Sequence, residues 1–174
     1  MTKDHRKENT RQAILKAMVS CLEKENFNDI TTTKLAQAAG ISRSSFYTHY
    51  KDKYEMIDSY QKEFFRALEN IFTQQENSRA KALLKMFVLL EDEELLSALL
   101  SPNGTQEIQS FIIRKIKLFI ENDLLLTQDL SPIQAEYHSI YFSHAIFGIC
   151  QSWIIKGKRE SPAEMSDFLM HLLP

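Results

Sequence analysis

The chain has 174 residues, 44% of them hydrophobic, with only four glycines and four prolines, a composition that favours a helical domain with its own core over turn-rich β folds or disorder. Residues 1–53 hold ten Lys and Arg against six Asp and Glu, whereas the remaining residues hold eleven against seventeen, so the N-terminal third is the part suited to a polyanion. The polar N-terminus "MTKDHRKENTRQ" disfavours a secretory leader, no apolar run approaches the roughly 18 residues of a membrane span, and we therefore expect a cytoplasmic protein.

Hydrophobic periodicity predicts an all-α fold of about nine helices with no strand. Asn9 or Thr10 can cap the start of the first helix, and Pro132 suits the first turn of the eighth. The predicted helices span residues 10–25, 32–39, 43–49, 51–73, 80–90, 95–100, 106–123, 133–156 and 163–173.

The second and third predicted helices are joined by the segment "AAGIS", in which Gly40 allows an abrupt change of chain direction. Thr31 and Ser42 can cap the starts of these two helices. Ala36 is small enough for close packing between them, and Phe46 gives the third helix a buried side. Two helices with a tight glycine turn, the second short and polar, are typical of a helix-turn-helix.

The opposite side of the third helix offers hydrogen-bonding groups that suit double-stranded DNA. Arg matches the O6 and N7 acceptors of guanine, and Ser and Thr match base edges or phosphates. The residues expected near base edges are Arg43, Ser44, Ser45 and Thr48. The residues expected along the phosphate backbone are Tyr47, His49, Lys51 and Lys53.

The stretch "TTTKLAQAAGISRSSFYTHYKDKYEMI" resembles the DNA-binding region of TetR-type (TetR/AcrR) transcriptional regulators, and the resemblance covers residues 9–60. It implies a three-helix, helix-turn-helix DNA-binding domain at residues 1–53. It also implies that residues 54–174 form a helical regulatory domain, which dimerises and usually binds a small effector.

The resemblance carries over to single residues of the predicted DNA-binding domain. It implies phosphate contacts by Thr33 and Tyr47, and Thr31 is assigned to the same DNA surface. Lys53 corresponds to the family's lysine at the start of the fourth helix. Ser44 departs from the pattern, since many members have glycine there, and this difference leaves the operator sequence open.

A second resemblance concerns the C-terminal stretch "YFSHAIFGICQSWIIKGKRESPAEMSDFL", which is similar to the last two helices of one regulatory-domain subgroup. In that subgroup the two helices pair with their two-fold copies in a four-helix bundle. The apolar residues here exceed what one small core needs, and a two-fold interface would use the same patch on both subunits. The expected homodimer interface contains Phe142, Ile146, Ile149, Trp153, Phe168 and Leu172.

Other large side chains of the predicted regulatory domain belong either to its core or to the lining of an effector pocket. Lys115 lies within an apolar helix face, where it meets an anionic ligand or extends its charged end into solvent. The expected pocket residues are Phe64, Leu68, Met86, Leu90, Phe111, Lys115, Phe119, Tyr137 and Tyr141.

The leading hypothesis is a homodimeric, ligand-responsive transcriptional repressor that binds a two-fold symmetric operator. One alternative is an activator, or a regulator without a small ligand. Another is a helical dimer that acts mainly through a protein partner, for which a cavity too small for a metabolite and a large exposed apolar patch would speak. No catalytic motif occurs, and the cysteines and histidines lack metal-ligand spacing, so we expect no enzyme, metal or cofactor.

Overall fold

The computed structural model describes residues 3–73, 79–127 and 129–173, without the side chains of residues 3–4, 63, 67–73 and 127. Within these residues the chain forms nine α-helices, one short 3-10 turn at Phe27–Asp29 and no strand, which confirms the predicted all-α fold. The helices are α1 (Lys3–Leu22), α2 (Thr32–Ala38), α3 (Arg43–Tyr47), α4 (Lys53–Thr73), α5 (Arg79–Asp92), α6 (Glu94–Leu100), α7 (Gln106–Thr127), α8 (Pro132–Ile155) and α9 (Pro162–Leu172). None of these helices is long and apolar enough to cross a membrane.

The first helix begins earlier than its hydrophobic pattern predicts. It starts at Lys3, and Thr10 lies inside it with its hydroxyl donating to the Arg6 carbonyl at 2.9 Å, so the expected cap at Asn9 or Thr10 is wrong. The added turns are polar, and Glu8 accepts a hydrogen bond from Gln12 at 2.9 Å. Side-chain pairs at this spacing support a helix that buries little apolar surface.

The chain divides into two compact units. The first, here called the head, comprises the residues up to Asn70 together with Glu93–Gly104. The second, called the body, comprises Ile71–Asp92 and the residues from Thr105 onwards. The contact boundary therefore lies within α4 and includes α6 in the head, whereas the predicted boundary follows Lys53. The functional division into a DNA-binding part and a dimerising part stays a prediction.

The head is organised around α1, which packs against α2 and α6, while α2 packs against α3. The loop after α6 is tied to the same core by Asn103. Its side-chain amide donates to the Leu22 carbonyl at 2.8 Å, and its own carbonyl accepts from the Phe27 amide at 2.8 Å. Because these bonds use backbone groups at the end of α1 and in the 3-10 turn, they fix the segment that leads into α2.

The body is built from two helix pairs, α7 with α8 and α5 with α9. Ser131 and Ser161 each form a reciprocal capping box at the start of α8 and α9, with Pro132 and Pro162 in the first turn. The sequence predicted Pro132 at this position. The core includes Trp153, which is 2% exposed and stands edge-on to Phe87 with ring centroids 5.2 Å apart.

Candidate nucleic-acid interface

The turn between α2 and α3 is a closed, hydrogen-bonded unit. Gly40 has a φ of +67°, which suits glycine because it lacks a Cβ. Its amide donates to the Gln37 carbonyl at 3.1 Å, and the Ile41 amide donates to the Ala36 carbonyl at 3.0 Å. These two bonds form a Schellman motif, which ends α2 and redirects the chain into α3.

The short helix α3 is held at its start and along one side. The Ser42 hydroxyl caps it by accepting from the Ser45 amide at 3.1 Å. Phe46 is completely buried and Tyr50, just beyond the helix, is 6% exposed. The helix is therefore anchored from below by aromatic packing, and its other side faces outward.

Seven of the ten predicted DNA contacts are exposed, so the structure places them where a duplex can reach them. They are Thr31, Thr33, Arg43, Ser44, Tyr47, Thr48 and Lys51. Ser45 and His49 are half-buried, and Lys53 is buried. Contact with DNA stays a prediction for all ten residues, and Lys53 has a structural role as well.

The hydroxyl groups of Ser44 on α3 and of Thr48 at its end already have partners nearby. Ser44 Oγ lies 2.9 Å from Ser42 Oγ, and Thr48 Oγ1 donates to the Ser45 carbonyl at 2.7 Å. Thr48 Oγ1 keeps its acceptor lone pairs, so in this conformation it can accept from a donor on a base edge but cannot donate to a phosphate. Ser44 Oγ has its hydrogen available for a phosphate only when it accepts from Ser42 Oγ.

Arg43 and Tyr47 contact each other on the outer side of α3. Arg43 Nε and Nη2 donate to Tyr47 Oη at 3.3 and 3.2 Å. The Arg43 guanidinium carbon also lies 5.6 Å from the centre of the Tyr47 ring, within range of a cation–π interaction. The Arg43 guanidinium and the exposed Tyr47 side chain therefore form a cluster on the outer side of α3.

Lys53 is 7% exposed, and its ammonium is bound by the head itself. Nζ donates to the carbonyls of Phe27 at 2.6 Å and Asn28 at 2.8 Å, and lies 4.7 Å from the Phe27 ring centre. Burial lowers the pKa of this ammonium group, an effect that Asp29 partly opposes. Lys53 thus links the start of α4 to the 3-10 turn, a role that its sequence position did not reveal.

His49 follows α3 and is half-buried beside the first turns of α1. Burial lowers its pKa from the ordinary histidine value, the positive charge of Lys7 lowers it further, and Glu8 acts in the opposite direction. At neutral pH the ring is therefore uncharged in the free chain. It can donate one hydrogen bond to a phosphate oxygen but does not supply a positive charge.

The body presents an apolar surface on α8, which differs in part from the predicted interface. Trp153 and Ile146 are buried in the body's own core, so they offer almost no surface to a partner, and their place in an interface stays a prediction. Phe142 and Ile149 are half-buried, whereas Phe168 and Leu172 on α9 are about half exposed. The opposite side of α8 exposes four large side chains, which are Ile133, Tyr137, Tyr141 and Ile155.

A cavity in the described part of the body measures about 30 Å³ and is almost entirely apolar. Its lining residues are Arg79, Ala82, Leu83, Met86, Ile116, Phe119, Ile120, Asp123, Leu124, Ile146 and Leu173. Arg79 and Asp123 form an ion pair there, which sequence reasoning missed because two residues so far apart in sequence give no local pattern.

Of the nine predicted pocket residues, Met86 and Phe119 line this cavity. Tyr137 and Tyr141 are 67% and 69% exposed and do not line this cavity, so their place in a pocket stays a prediction. Phe64 belongs to the head, where it stacks on Tyr60. The others that do not line it are Leu90, Phe111 and Lys115, and the Leu68 side chain lies outside the described residues.

Two family models match separate parts of the chain. Residues 14–60 match the family model described as bacterial regulatory proteins of the tetR family, and residues 76–174 match the model of a transcriptional regulator C-terminal region. Among curated proteins, the nucleoid occlusion factor SlmA of Alteromonas mediterranea is 29% identical over 89 residues, which are 49% of this chain and 46% of that protein. The chain thus spans less than half the length of that relative.

Solved structures share the fold over nearly the whole chain. A TetR transcriptional regulator from Streptococcus agalactiae has a TM-score of 0.69 at 16% identity, covering 98% of this chain and 97% of that one. NalD of Pseudomonas aeruginosa, the secondary repressor of the MexAB-OprM multidrug efflux pump, has a TM-score of 0.68 at 18% identity, covering 95% of both chains. The chain belongs to the TetR family of transcriptional regulators.

Proposed function

We propose that the chain is a homodimeric transcriptional repressor that places α3 of each protomer in successive major grooves of a two-fold symmetric operator. The observation that carries this proposal is the anchored α2–α3 unit, with Phe46 buried beneath it and Arg43, Ser44 and Thr48 facing outward. A rigid helix with a polar outer side matches the width and the donor–acceptor pattern of the major groove.

Dimerisation is proposed to use the exposed side of α8, together with Phe168 and Leu172 of α9. Ile133, Tyr137 and Tyr141 follow one another at four-residue spacing, so they lie along one side of the helix. The buried residues of α8, such as Trp153, lie on another side. An exposed apolar side on a helix whose other side is already buried favours a partner that covers it.

Repression is the simplest outcome of such binding. A dimer that occupies two successive major grooves excludes other proteins from the same site. Activation needs, in addition, a surface that recruits the transcription machinery. We therefore favour a repressor over an activator.

A small effector is proposed to act by enlarging the cavity of the body. Small-molecule sites measure roughly 300–1,000 Å³, whereas this cavity measures about 30 Å³, so an effector must separate the helices that carry Met86 and Phe119. If this movement changes the spacing of the two heads, effector and operator must weaken each other's binding by the same factor.

The small cavity also favours a second function, in which the body of a DNA-bound dimer binds another protein. Outside the proposed dimer surface, α7 exposes Leu118, Leu125 and Leu126, the last at 85%. The curated relative is named a nucleoid occlusion factor, and this name describes a role other than effector-controlled repression. Metabolite screening tests the first function, and a search for proteins retained by the DNA-bound dimer tests the second.

The direct experiment is a selection of bound duplexes from a random DNA pool, using the full chain. We expect a two-fold symmetric site with half-sites one helical turn apart, about 34–36 Å. Substituting the outward side chains in Arg43→Ala/Ser44→Ala is expected to abolish enrichment while leaving the fold intact. Enrichment of asymmetric sites, or equal enrichment by this variant, would contradict the proposal.

A further inference from the structure

Arg43 and Tyr47, which are expected to make different kinds of DNA contact, are hydrogen-bonded to each other in the structure. Arg43 and Tyr47 stand at the first and last positions of α3, four residues apart and therefore on the same side. Two guanidinium nitrogens of Arg43, Nε and Nη2, share the Tyr47 hydroxyl oxygen at 3.3 and 3.2 Å.

The hydrogen-bonding capacity of each group shows what remains available. The guanidinium has five N–H donors, so two bonds to Tyr47 leave three, including the pair at the end of the fork. The Tyr47 hydroxyl has two acceptor lone pairs and one hydrogen. When it accepts twice from Arg43, its own hydrogen is still available to an acceptor outside the protein.

Tyr47 is itself held in place by the head. Its ring stands edge-on to the buried Phe46 ring, with centroids 6.0 Å apart and planes at 89°. Phe46 is completely buried and fixes the lower side of α3. Packing against Phe46 therefore orients the Tyr47 ring. The Tyr47 hydroxyl in turn restricts the conformation of Arg43, whose long side chain is otherwise mobile.

We infer that Tyr47 is a positioning residue for Arg43: its hydroxyl holds one edge of the guanidinium, so that the other edge meets the O6 and N7 of a guanine in each half-site. The same hydroxyl donates its hydrogen to a neighbouring phosphate oxygen. Tyr47 therefore contributes to sequence preference as well as to general affinity. This inference rests on the proposed function, because it assumes that α3 reads the operator.

The rival view treats Tyr47 as a phosphate contact alone. In that case loss of the hydroxyl weakens binding to every duplex equally and leaves base preference unchanged. Under the inference, loss of the hydroxyl loosens Arg43 and relaxes the preference at the one position that Arg43 reads. A change in base preference therefore distinguishes the two views, because a general loss of affinity leaves base preference unchanged.

The test compares the wild type with Tyr47→Phe, Arg43→Ala and the double variant, each as the full chain at one fixed salt concentration. Affinities are measured for the selected operator, for operators with each base replaced symmetrically, and for a random duplex. Tyr54→Phe is the matched control, since Tyr54 is similarly exposed in the head and lies on α4 rather than α3. Phenylalanine keeps the ring and removes only the hydroxyl.

We expect Tyr47→Phe to reduce discrimination at a single position of each half-site by roughly fivefold, the value of about one hydrogen bond. Arg43→Ala should relax the same position more strongly, and the double variant should relax it no further than Arg43→Ala alone. Tyr54→Phe should change neither affinity nor preference.

Two results overturn the inference while leaving the proposed function standing. One is that Arg43→Ala relaxes a position that Tyr47→Phe leaves unchanged. The other is that, in the double variant, the two losses of base discrimination at that position add. If the wild type selects no preferred sequence, the inference and the proposed function fail together.

Discussion

The head and the body each have a buried apolar core, but α3 of the head exposes polar side chains whereas α8 of the body exposes apolar ones. On α3 the outward residues are polar and several already form hydrogen bonds, as Arg43 does with Tyr47. On α8 the outward residues include Tyr137 and Tyr141, which are large, mostly apolar and more than 60% exposed. A polar surface suits a partner that is itself hydrated and charged, whereas an apolar surface requires one that excludes water.

The contrast also concerns how each surface is held. In the head, the position of α3 depends on two hydroxyl caps and on the glycine turn at Gly40, so small local changes alter it. In the body, α8 is a helix of 24 residues that packs along α7, and its orientation depends on a large buried area. Variants of the two regions should therefore fail in different ways.

Trp153→Ala should have the largest effect, and it should act on the body's fold rather than on an interface. The indole packs against Phe87 and donates to the Glu160 carbonyl at 2.9 Å. Truncation of such a residue costs roughly 3–5 kcal/mol of the free energy of unfolding. Denaturant unfolding measures this loss, with Leu126→Ala as a control that is exposed and lies outside the proposed dimer surface. A Trp153→Ala variant as stable as this control would contradict the burial of Trp153.

Tyr141→Glu should separate the protomers while leaving each one folded. A carboxylate placed in an apolar interface must be desolvated without a partner, so we expect dimer affinity to fall about 100-fold or more. Sedimentation over a range of protein concentrations measures the effect. Leu126→Glu on α7 is the matched control and should remain dimeric, since Leu126 lies outside the proposed dimer surface. Equal dissociation of both variants would place the interface elsewhere.

Lys53→Met should weaken the head, whereas Lys51→Met should weaken only its binding to DNA. Removal of the Lys53 ammonium leaves the Asn28 carbonyl without that donor, at a cost of about 1–3 kcal/mol in the free energy of unfolding. Lys51 is exposed, and loss of one phosphate contact should reduce the salt slope of DNA binding by about 0.9. If Lys53→Met instead changes the salt slope and leaves stability unchanged, Lys53 acts mainly on DNA.

His49 should give the smallest effect, visible only as a dependence on pH. Its pKa in the folded chain lies below the ordinary value of 6.5, so between the two values the unfolded chain binds the proton more readily. Wild type should therefore lose stability relative to His49→Gln as the pH falls from about 7 through this window. Urea unfolding of both proteins between about pH 7.5 and 5 tests this, and parallel curves would rule it out.

Much of the head could be predicted from its sequence, because helix caps and tight turns depend on residues that are close together in the chain. Thr31 and Ser42 cap the two helices as expected, and Gly40 has the positive φ that its position suggested. The extra turns of α1 were missed, since helices supported by polar pairs such as Glu8 and Gln12 have no hydrophobic period. Hydrophobic periodicity therefore locates only helices that bury an apolar side.

The roles of side chains in the body were harder to predict. Trp153 and Tyr141 both lie on an apolar helix, and the sequence does not say which one faces the core, because α8 has apolar residues on both sides. Hydrophobic periodicity therefore did not separate the buried from the exposed residues of this helix. Likewise, the burial of Lys53 depends on carbonyls near Phe27, a contact between residues distant in sequence.

The most direct test of the proposed roles of the head and the body changes the distance between the two half-sites of the operator. The body is proposed to fix the spacing of the two α3 helices, and α3 is proposed to read the bases. Inserting five base pairs at the centre of the selected operator turns one half-site about half a helical turn away from the other. We expect the affinity for this duplex to fall to that for random DNA. An affinity equal to that for the uninterrupted operator would show that one dimer does not hold the two α3 helices at a fixed spacing.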